Sequence, residues 1–141
     1  MPKEPKPKSV RYATLKKRVK AEYEHTRQYK TTYKDIKKVF SWINDAVFDG
    51  KLAPFNEITI KDLRPIKCFG QVTQWEWKRK GTQSFHLEMC EKYSNKKEFI
   101  STLAHEMVHL YQMRNAGDSG NHNKLFYSFK APMKRAGIDM I

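Results

Sequence analysis

The stretch from Asn95 to Gly117 places the strongest constraint on the fold, because a helical pattern of apolar residues runs through it. Asn95 and Glu98, three residues apart, resemble a capping box, and Gly117 is typical of the turn that ends a helix. The apolar residues that recur between them at three- and four-residue intervals are Phe99, Ile100, Leu103, Met107, Val108 and Leu110. The sequence therefore predicts a central amphipathic helix that extends to about Asn115.

The centre of this helix contains the pattern His-Glu-Met-Val-His at residues 105–109. Histidines four residues apart share one helix face, so the imidazoles of His105 and His109 are able to bind one metal ion. Glu106 lies about 100° further round the helix, which suits a carboxylate that contacts the water of a zinc hydrolase instead of the metal. We therefore expect His105 and His109 as zinc ligands and Glu106 as a general base.

A third ligand is needed, because a catalytic zinc normally takes three protein ligands. A metzincin would have Gly at position 112 and His at position 115, where this chain has Gln112 and Asn115. No Asn-Glu-x-x-Ser-Asp helix follows, which argues against a glutamate ligand of the thermolysin type. His122 is the preferred candidate, since the antiparallel return of the last helix would bring it toward the other two histidines. Asp118 is the weaker alternative.

The segments before the central helix predict one more helix and a small sheet. Apolar residues in segment 32–49 recur at helical intervals, and Gly50 follows as a stop. The alternating segments 57–63, 69–77 and 83–89 predict three short strands, of which the last two form a hairpin.

The two ends of the chain predict flanking helices. Segment 11–29 is compatible with a helix, but Leu15 and Val19 form only a thin apolar stripe, which favours a helix over tight docking of it. Segment 121–136 predicts a last helix with a local break at Pro132. The expected fold class is therefore α+β, with a small three-stranded, mostly antiparallel sheet packed on the helix of the histidine motif.

The charge of the chain predicts an anionic partner. The chain carries 28 Lys and Arg against 15 Asp and Glu, a net charge of +13. Segment 1–38 has most of this excess, and clustered basic side chains gain affinity for nucleic acids by releasing counterions. We expect residues 1–30 to form a basic arm, partly flexible or helical, that either aids solubility or binds DNA. Residues 31–141 are expected to form the folded domain.

Two groups of basic residues are candidates for DNA contacts: Lys16, Lys17, Arg18 and Lys20 in the arm, and Lys78, Arg79 and Lys80 at the hairpin tip. Aromatic groups beside basic ones are the chemistry of a single-strand platform. Trp75 and Trp77, however, share a strand face with Phe69, so we expect them in the sheet core.

The cysteines and the hydropathy pattern favour a cytoplasmic protein. Cys68 and Cys90 form no CxxC pair, which predicts neither a disulfide framework nor a four-cysteine zinc site. No run approaches 18 apolar residues, and the first residues lack the apolar core of a signal peptide. We expect no membrane association.

Several of these features together resemble the SprT-like zinc metalloproteases. They are the motif at residues 105–109, His122 at 13 positions beyond His109, and Phe126 four positions after His122. Segment 44–52 resembles the helix end and Gly-Lys-Leu turn of that family, and Phe69-Gly70 followed by a hairpin resembles its small sheet. The resemblance covers about residues 35–137.

The resemblance implies a zincin-like fold in which His105, His109 and His122 hold one Zn²⁺ per chain and Glu106 is catalytic. It also implies a peptidase that acts on DNA-associated proteins, either near the nucleoid or, for a phage protein, in the host cytoplasm. The chain lacks the cysteine-rich zinc ribbon of longer relatives, so activation by DNA through that module is not implied. The alternative is a zinc-stabilised, catalytically idle protein that binds nucleic acid or takes part in phage assembly.

Overall fold

The computed structural model describes residues 7–77, 82–118 and 120–140, and in these ranges the chain has an α+β fold. The helices are α1 (Lys8–Tyr23), α2 (Tyr33–Val47), α3 (Lys96–Arg114), α4 (Lys124–Ser128) and α5 (Lys130–Arg135). The strands are β1 (Tyr29–Lys30), β2 (Glu57–Lys61), β3 (Gly70–Trp77), β4 (Thr82–Cys90) and β5 (Lys92–Tyr93), and a 3₁₀ turn spans Arg64–Ile66. One small sheet is mixed and the other is antiparallel.

The predicted central helix is α3, and its start has the predicted caps. The side chain of Asn95 accepts a hydrogen bond from the backbone N–H of Glu98 at 2.9 Å. The Glu98 carboxylate accepts one in return from the N–H of Ser94 at 3.3 Å. The first bond satisfies a donor that a helix start leaves without a partner, and the second fixes the residue before the cap. Helix α3 then packs against α1, α2 and both long strands, so it lies at the centre of the core.

The main sheet is mixed, so the prediction of a mostly antiparallel sheet is wrong. Its strand order is β2–β4–β3. Strands β3 and β4 form the predicted antiparallel hairpin, but β2 runs parallel to β4, with Glu57 beside His86 and Lys61 beside Cys90. Burial explains the order, because β4 carries the fully buried Leu87 and Met89 and therefore takes the central position.

The prediction that Trp75 lies in the sheet core is also wrong. Val72 pairs with the buried Leu87 on the face toward α3, whereas Trp75 pairs with Ser84 on the opposite face. Successive side chains of a strand point to opposite faces, so Trp75 lies on the outer face and is 54% exposed. Its ring contacts the imidazole of His86 there, with the ring centroids 5.8 Å apart. The side chain of Trp77 lies outside the described part of the chain.

Helix α1 docks closely despite its thin apolar stripe. Tyr12, Leu15 and Val19 are all buried, and α1 contacts both α2 and α3. Gly137 helps, since it has a φ of +82° and a Cβ there would lie only 3.1 Å from the side chain of Lys16. A glycine adopts this positive φ without strain and has no Cβ to collide with Lys16.

The last predicted helix is divided into α4 and α5. The break occurs at Phe129, three residues before Pro132. Proline has no N–H and its ring crowds the preceding turn, so the chain bends just before it. Among the described residues, no helix is both long and apolar enough to cross a membrane.

Candidate metal centre

Three imidazoles converge at the side of α3. His105 and His109 are one turn apart on the helix, and His122 lies in the loop before α4. The Nε2 atom of His109 is 3.0 Å from Nε2 of His105 and 3.2 Å from Nε2 of His122. All three candidate ligand atoms lie within 4.8 Å of one another. The arrangement brings three nitrogen donors to one point.

This donor set fits a zinc ion. Zinc binds imidazole nitrogen at 2.0–2.1 Å in tetrahedral geometry, which places two ligand nitrogens about 3.3 Å apart. The distances from His109 to His105 and His122 are close to that value. Burial lowers the pKa of His109, and the neutral imidazole that this favours is the form that binds metals. The three histidines thus suit a metal with nitrogen ligands.

Glu106 lies beside the imidazoles but does not join them. It is 4% exposed, and its Oε1 is 3.9 Å from Nε2 of His105. Burial raises the pKa of Glu106 to about 8, since a charged carboxylate is poorly solvated there. A cation beside the carboxylate would instead lower the pKa of Glu106. The Glu106 carboxyl group is therefore a buried, proton-retaining group next to the imidazole of His105.

Phe126 forms the wall behind the histidines. Its ring is 2% exposed and lies 4.5 Å from the ring of His122 and 4.9 Å from those of His105 and His109, measured between centroids. The ring comes from α4, which the side chain of Asn123 caps by accepting a hydrogen bond from the N–H of Phe126 at 3.1 Å. An apolar wall excludes water from that side of a metal site.

Gln112 connects α3 to the loop that carries His122. The residue is fully buried, and its Oε1 is 2.8 Å from Nδ1 of His109. Its Nε2 donates to the backbone carbonyl of Asn121 at 2.8 Å and to the side-chain oxygen of Asn123 at 3.1 Å. Asn123 in turn donates to the carboxylate of Asp118 at 2.6 Å. Asp118, the alternative third ligand, is thus part of this loop network.

Reasoning from the sequence used Gln112 only to exclude the metzincins and missed this contact. A signal was available, because residues three apart on a helix are neighbours on its surface. Gln112 follows His109 at that spacing, so a polar side chain at this position is able to hydrogen-bond to the imidazole. The role of Asn123 had no comparable signal, since the path of the loop is not a local property.

The candidate DNA contacts are away from the histidines in the sequence. Lys16, Lys17, Arg18 and Lys20 lie on α1 and are all exposed, and the guanidinium of Arg18 is 5.5 Å from the ring of Trp42. The hairpin-tip residues Lys78, Arg79 and Lys80 are outside the described residues.

Comparison with known families gives one match. The model of the SprT-like family matches residues 36–139, most of the chain. No curated protein and no solved structure matches. The matched range contains most of α2, the main sheet, α3 and the three histidines. The family is one of metalloprotease-type domains that use a metal ion. The chain therefore belongs to the SprT-like family.

Proposed function

We propose that the protein is a zinc-dependent peptidase whose single metal site is formed by His105, His109 and His122. The observation that carries this proposal is the convergence of three imidazole nitrogens within 4.8 Å of one another beside a buried carboxylate. Membership of a metalloprotease-type family supports the same reading. The expected architecture is zincin-like, with the motif on α3 and the third ligand after it.

The metal would supply a Lewis acid and would acidify the attacking water. Glu106 would accept a proton as water adds to the peptide carbonyl carbon, and would return it to the amine nitrogen as the C–N bond breaks. The three histidines would act as ligands only, through the nitrogens that face one another. Phe126 closes the site from behind.

The edge of the main sheet is a suitable place for an extended substrate. Strand β3 is an edge strand, and its first residue, Gly70, lies against Thr102 of α3, one turn before His105. A peptide that pairs with the main chain of β3 would therefore run toward the histidines. Main-chain pairing gives loose sequence preference.

Replacing Glu106 by Gln tests the chemistry. The amide cannot accept a proton, so we expect Glu106→Gln to reduce cleavage of a loosely folded basic protein by at least a hundredfold. Zinc content, measured by elemental analysis, should stay near one per chain. Glu57→Gln, an exposed change on β2, is the matched control and should cleave at the wild-type rate.

The outcomes separate the rival functions. Cleavage that Glu106→Gln leaves intact would overturn the role of Glu106. Bound zinc without any cleavage by the wild type would favour the catalytically idle binding protein instead. A wild type that binds no divalent metal would contradict the metal site itself.

We further propose that the substrates are proteins associated with DNA. The net charge of +13 and the exposed lysines of α1 support this. Single-stranded DNA binding should weaken steeply with salt, with a slope of about −0.7 for each phosphate contact. Replacing Lys16, Lys17 and Lys20 together by Ala should make the slope shallower by about 2, as measured by fluorescence anisotropy.

The matched control removes the same charge elsewhere. Lys51, Lys124 and Lys130 are exposed lysines outside α1, and replacing these three by Ala should change the slope less. Equal effects of the two triple variants would contradict a DNA site on α1. A flat salt response of the wild type would contradict DNA binding through phosphate contacts.

A further inference from the structure

We infer that Gln112 is a positioning residue for the metal site, because its buried amide selects the ring form of His109 and holds the loop that carries His122. The inference rests on the proposed metal site. It concerns no ligand atom, since the Gln112 side chain contacts His109 at Nδ1, the nitrogen that faces away from the other two histidines.

The orientation of the Gln112 amide follows from its partner. The backbone carbonyl of Asn121 can only accept a hydrogen bond, so the Gln112 atom at 2.8 Å from it must be the nitrogen. The nitrogen also reaches the side-chain oxygen of Asn123 at 3.1 Å. That oxygen is identified independently, because it accepts from the N–H of Phe126. The amide oxygen of Gln112 therefore faces His109.

This orientation determines where the proton of His109 is. An amide oxygen is an acceptor only, so Nδ1 of His109, at 2.8 Å from it, must carry the hydrogen. A neutral imidazole has one N–H, which leaves Nε2 with a free lone pair. Nε2 is the atom that faces His105 and His122. Gln112 thus prepares His109 to bind a metal through the correct nitrogen.

The same amide also positions the third histidine. Asn121 and Asn123 flank His122, and both accept from the nitrogen of Gln112. The N–H of Asp118 donates to the backbone carbonyl of Gln112 at 2.8 Å, which ties the start of the loop to the same residue. Because Gln112 is fully buried, water cannot replace these bonds at low cost. One side chain therefore couples the ligands on α3 to the ligand on the loop.

Two substitutions separate the two roles. Gln112→Glu retains an acceptor for the N–H of His109 but places a second acceptor against the carbonyl of Asn121. Gln112→Met has a similar volume and loses all three side-chain hydrogen bonds, to His109, Asn121 and Asn123. Ile43→Val, in the core of α2 and fully buried, is the control for a general loss of stability.

The first readout is metal affinity of the full chain, measured by competition with a chromophoric zinc chelator. We expect Gln112→Met to weaken zinc binding by about 10–100-fold, Gln112→Glu to weaken it less, and Ile43→Val to leave it unchanged. The second readout is the ring form of His109 in the metal-free protein, measured by two-dimensional ¹⁵N NMR of the imidazoles. The wild type and Gln112→Glu should show a protonated Nδ1, and Gln112→Met a mixture of both forms.

Several results would overturn the inference. Zinc affinity of Gln112→Met within threefold of the wild type would do so, as would an equal loss in Ile43→Val, since the effect would then be one of stability alone. A wild-type His109 protonated on Nε2 would contradict the assigned amide orientation. If the wild type bound no metal, the proposed function would fail and the inference with it. If the wild type bound zinc and Gln112→Met bound it with the same affinity, the inference alone would fail.

Discussion

Phe126 packs against all three imidazoles. It is almost completely buried, and its ring stacks on those of His109 and His122 with interplanar angles of 20° and 24°. A side chain in this position serves both the core and the site. Its loss should therefore affect stability and metal binding together.

We expect Phe126→Ala to lower the free energy of unfolding by about 3–5 kcal/mol and to weaken zinc binding, because the imidazoles lose their support. Urea unfolding and chelator competition measure the two effects. Phe129→Ala is the control, since the Phe129 ring packs on those of Phe48 and Tyr111, each with the ring centroids 5.2 Å apart. It should lower stability and leave zinc affinity intact. An equal loss of affinity in both variants would show that Phe126 acts through stability only.

At the scale of elements, the contact between β3 and α3 sets the position of the sheet edge beside the site. A Cβ on Gly70 would lie 3.1 Å from Cγ2 of Thr102 and 3.2 Å from the sulfur of Met89. Such distances are tighter than ordinary contacts, so β3 approaches α3 this closely because residue 70 has no side chain.

Gly70→Ala should lower the free energy of unfolding by about 1–3 kcal/mol, because it overpacks this contact. Thr102→Ser removes the methyl group and keeps the hydroxyl, which donates to the carbonyl of Glu98 at 2.8 Å. Combining the two changes should recover part of the loss, and a double-mutant cycle from urea unfolding measures the coupling. Strictly additive effects would contradict the assigned contact.

Local pattern was enough to predict α2 and α3. Thr32 and Asn95 both cap their helices through side-chain oxygens. Such caps depend only on residues that are close together in the sequence. The hairpin was predictable for the same reason, since its strands are neighbours in the chain. Among the site residues, the spacing within α3 brings His105 and His109 together whatever the rest of the fold does.

Properties that depend on distant residues were not predictable. The parallel partner of β2 is β4, which follows β3 in the sequence and so is not the next strand along the chain. The burial of α1 depends on Gly137 at the other end of the chain. The outer position of Trp75 follows from which face of β3 meets α3. Residues 78–81 lie outside the described part of the chain, so the predicted DNA contacts of the hairpin tip stay predictions.

At the scale of the whole molecule, a group of charges ties three helices together. Nζ of Lys96 on α3 lies 2.7 Å from Glu22 of α1 and 4.0 Å from Asp35 of α2. Burial raises the pKa of Glu22, but Lys96 and Lys38 outweigh it, so this pKa lies below its usual value of 4.5. Burial acts on Asp35 in the same way, and its hydrogen bond from Tyr29 and the two lysines hold its pKa below 3.8.

A carboxyl group whose pKa is lower in the folded state stabilises the fold above its unfolded pKa and loses this contribution as the pH falls through the folded value. Acid should therefore destabilise the protein as the pH falls below about 4.5. Lys96→Met should lower the free energy of unfolding by about 2 kcal/mol at pH 7 and make its decrease in acid shallower. Urea unfolding from pH 7 to pH 3 measures both.

Lys97→Met is the matched control for the charge group. Lys97 is the next residue of α3, but its side chain is 50% exposed and pairs with the exposed Asp139 at 3.5 Å. A pair of this kind contributes little, so the control should follow the wild-type curve. An unchanged acid response in Lys96→Met would show that the helices are held together without this group.

The parallel pairing of β2 has a consequence for biosynthesis. A ribosome releases β2 before either strand of the hairpin, yet β2 has no hydrogen-bonding partner in the main sheet except β4 among the described strands. The nascent chain must therefore keep Ile58 and Ile60 unpaired until Cys90 has left the exit tunnel, and α3 follows only after that. During this interval the emerging segment offers an unpaired strand edge, which is the kind of surface that chaperones protect.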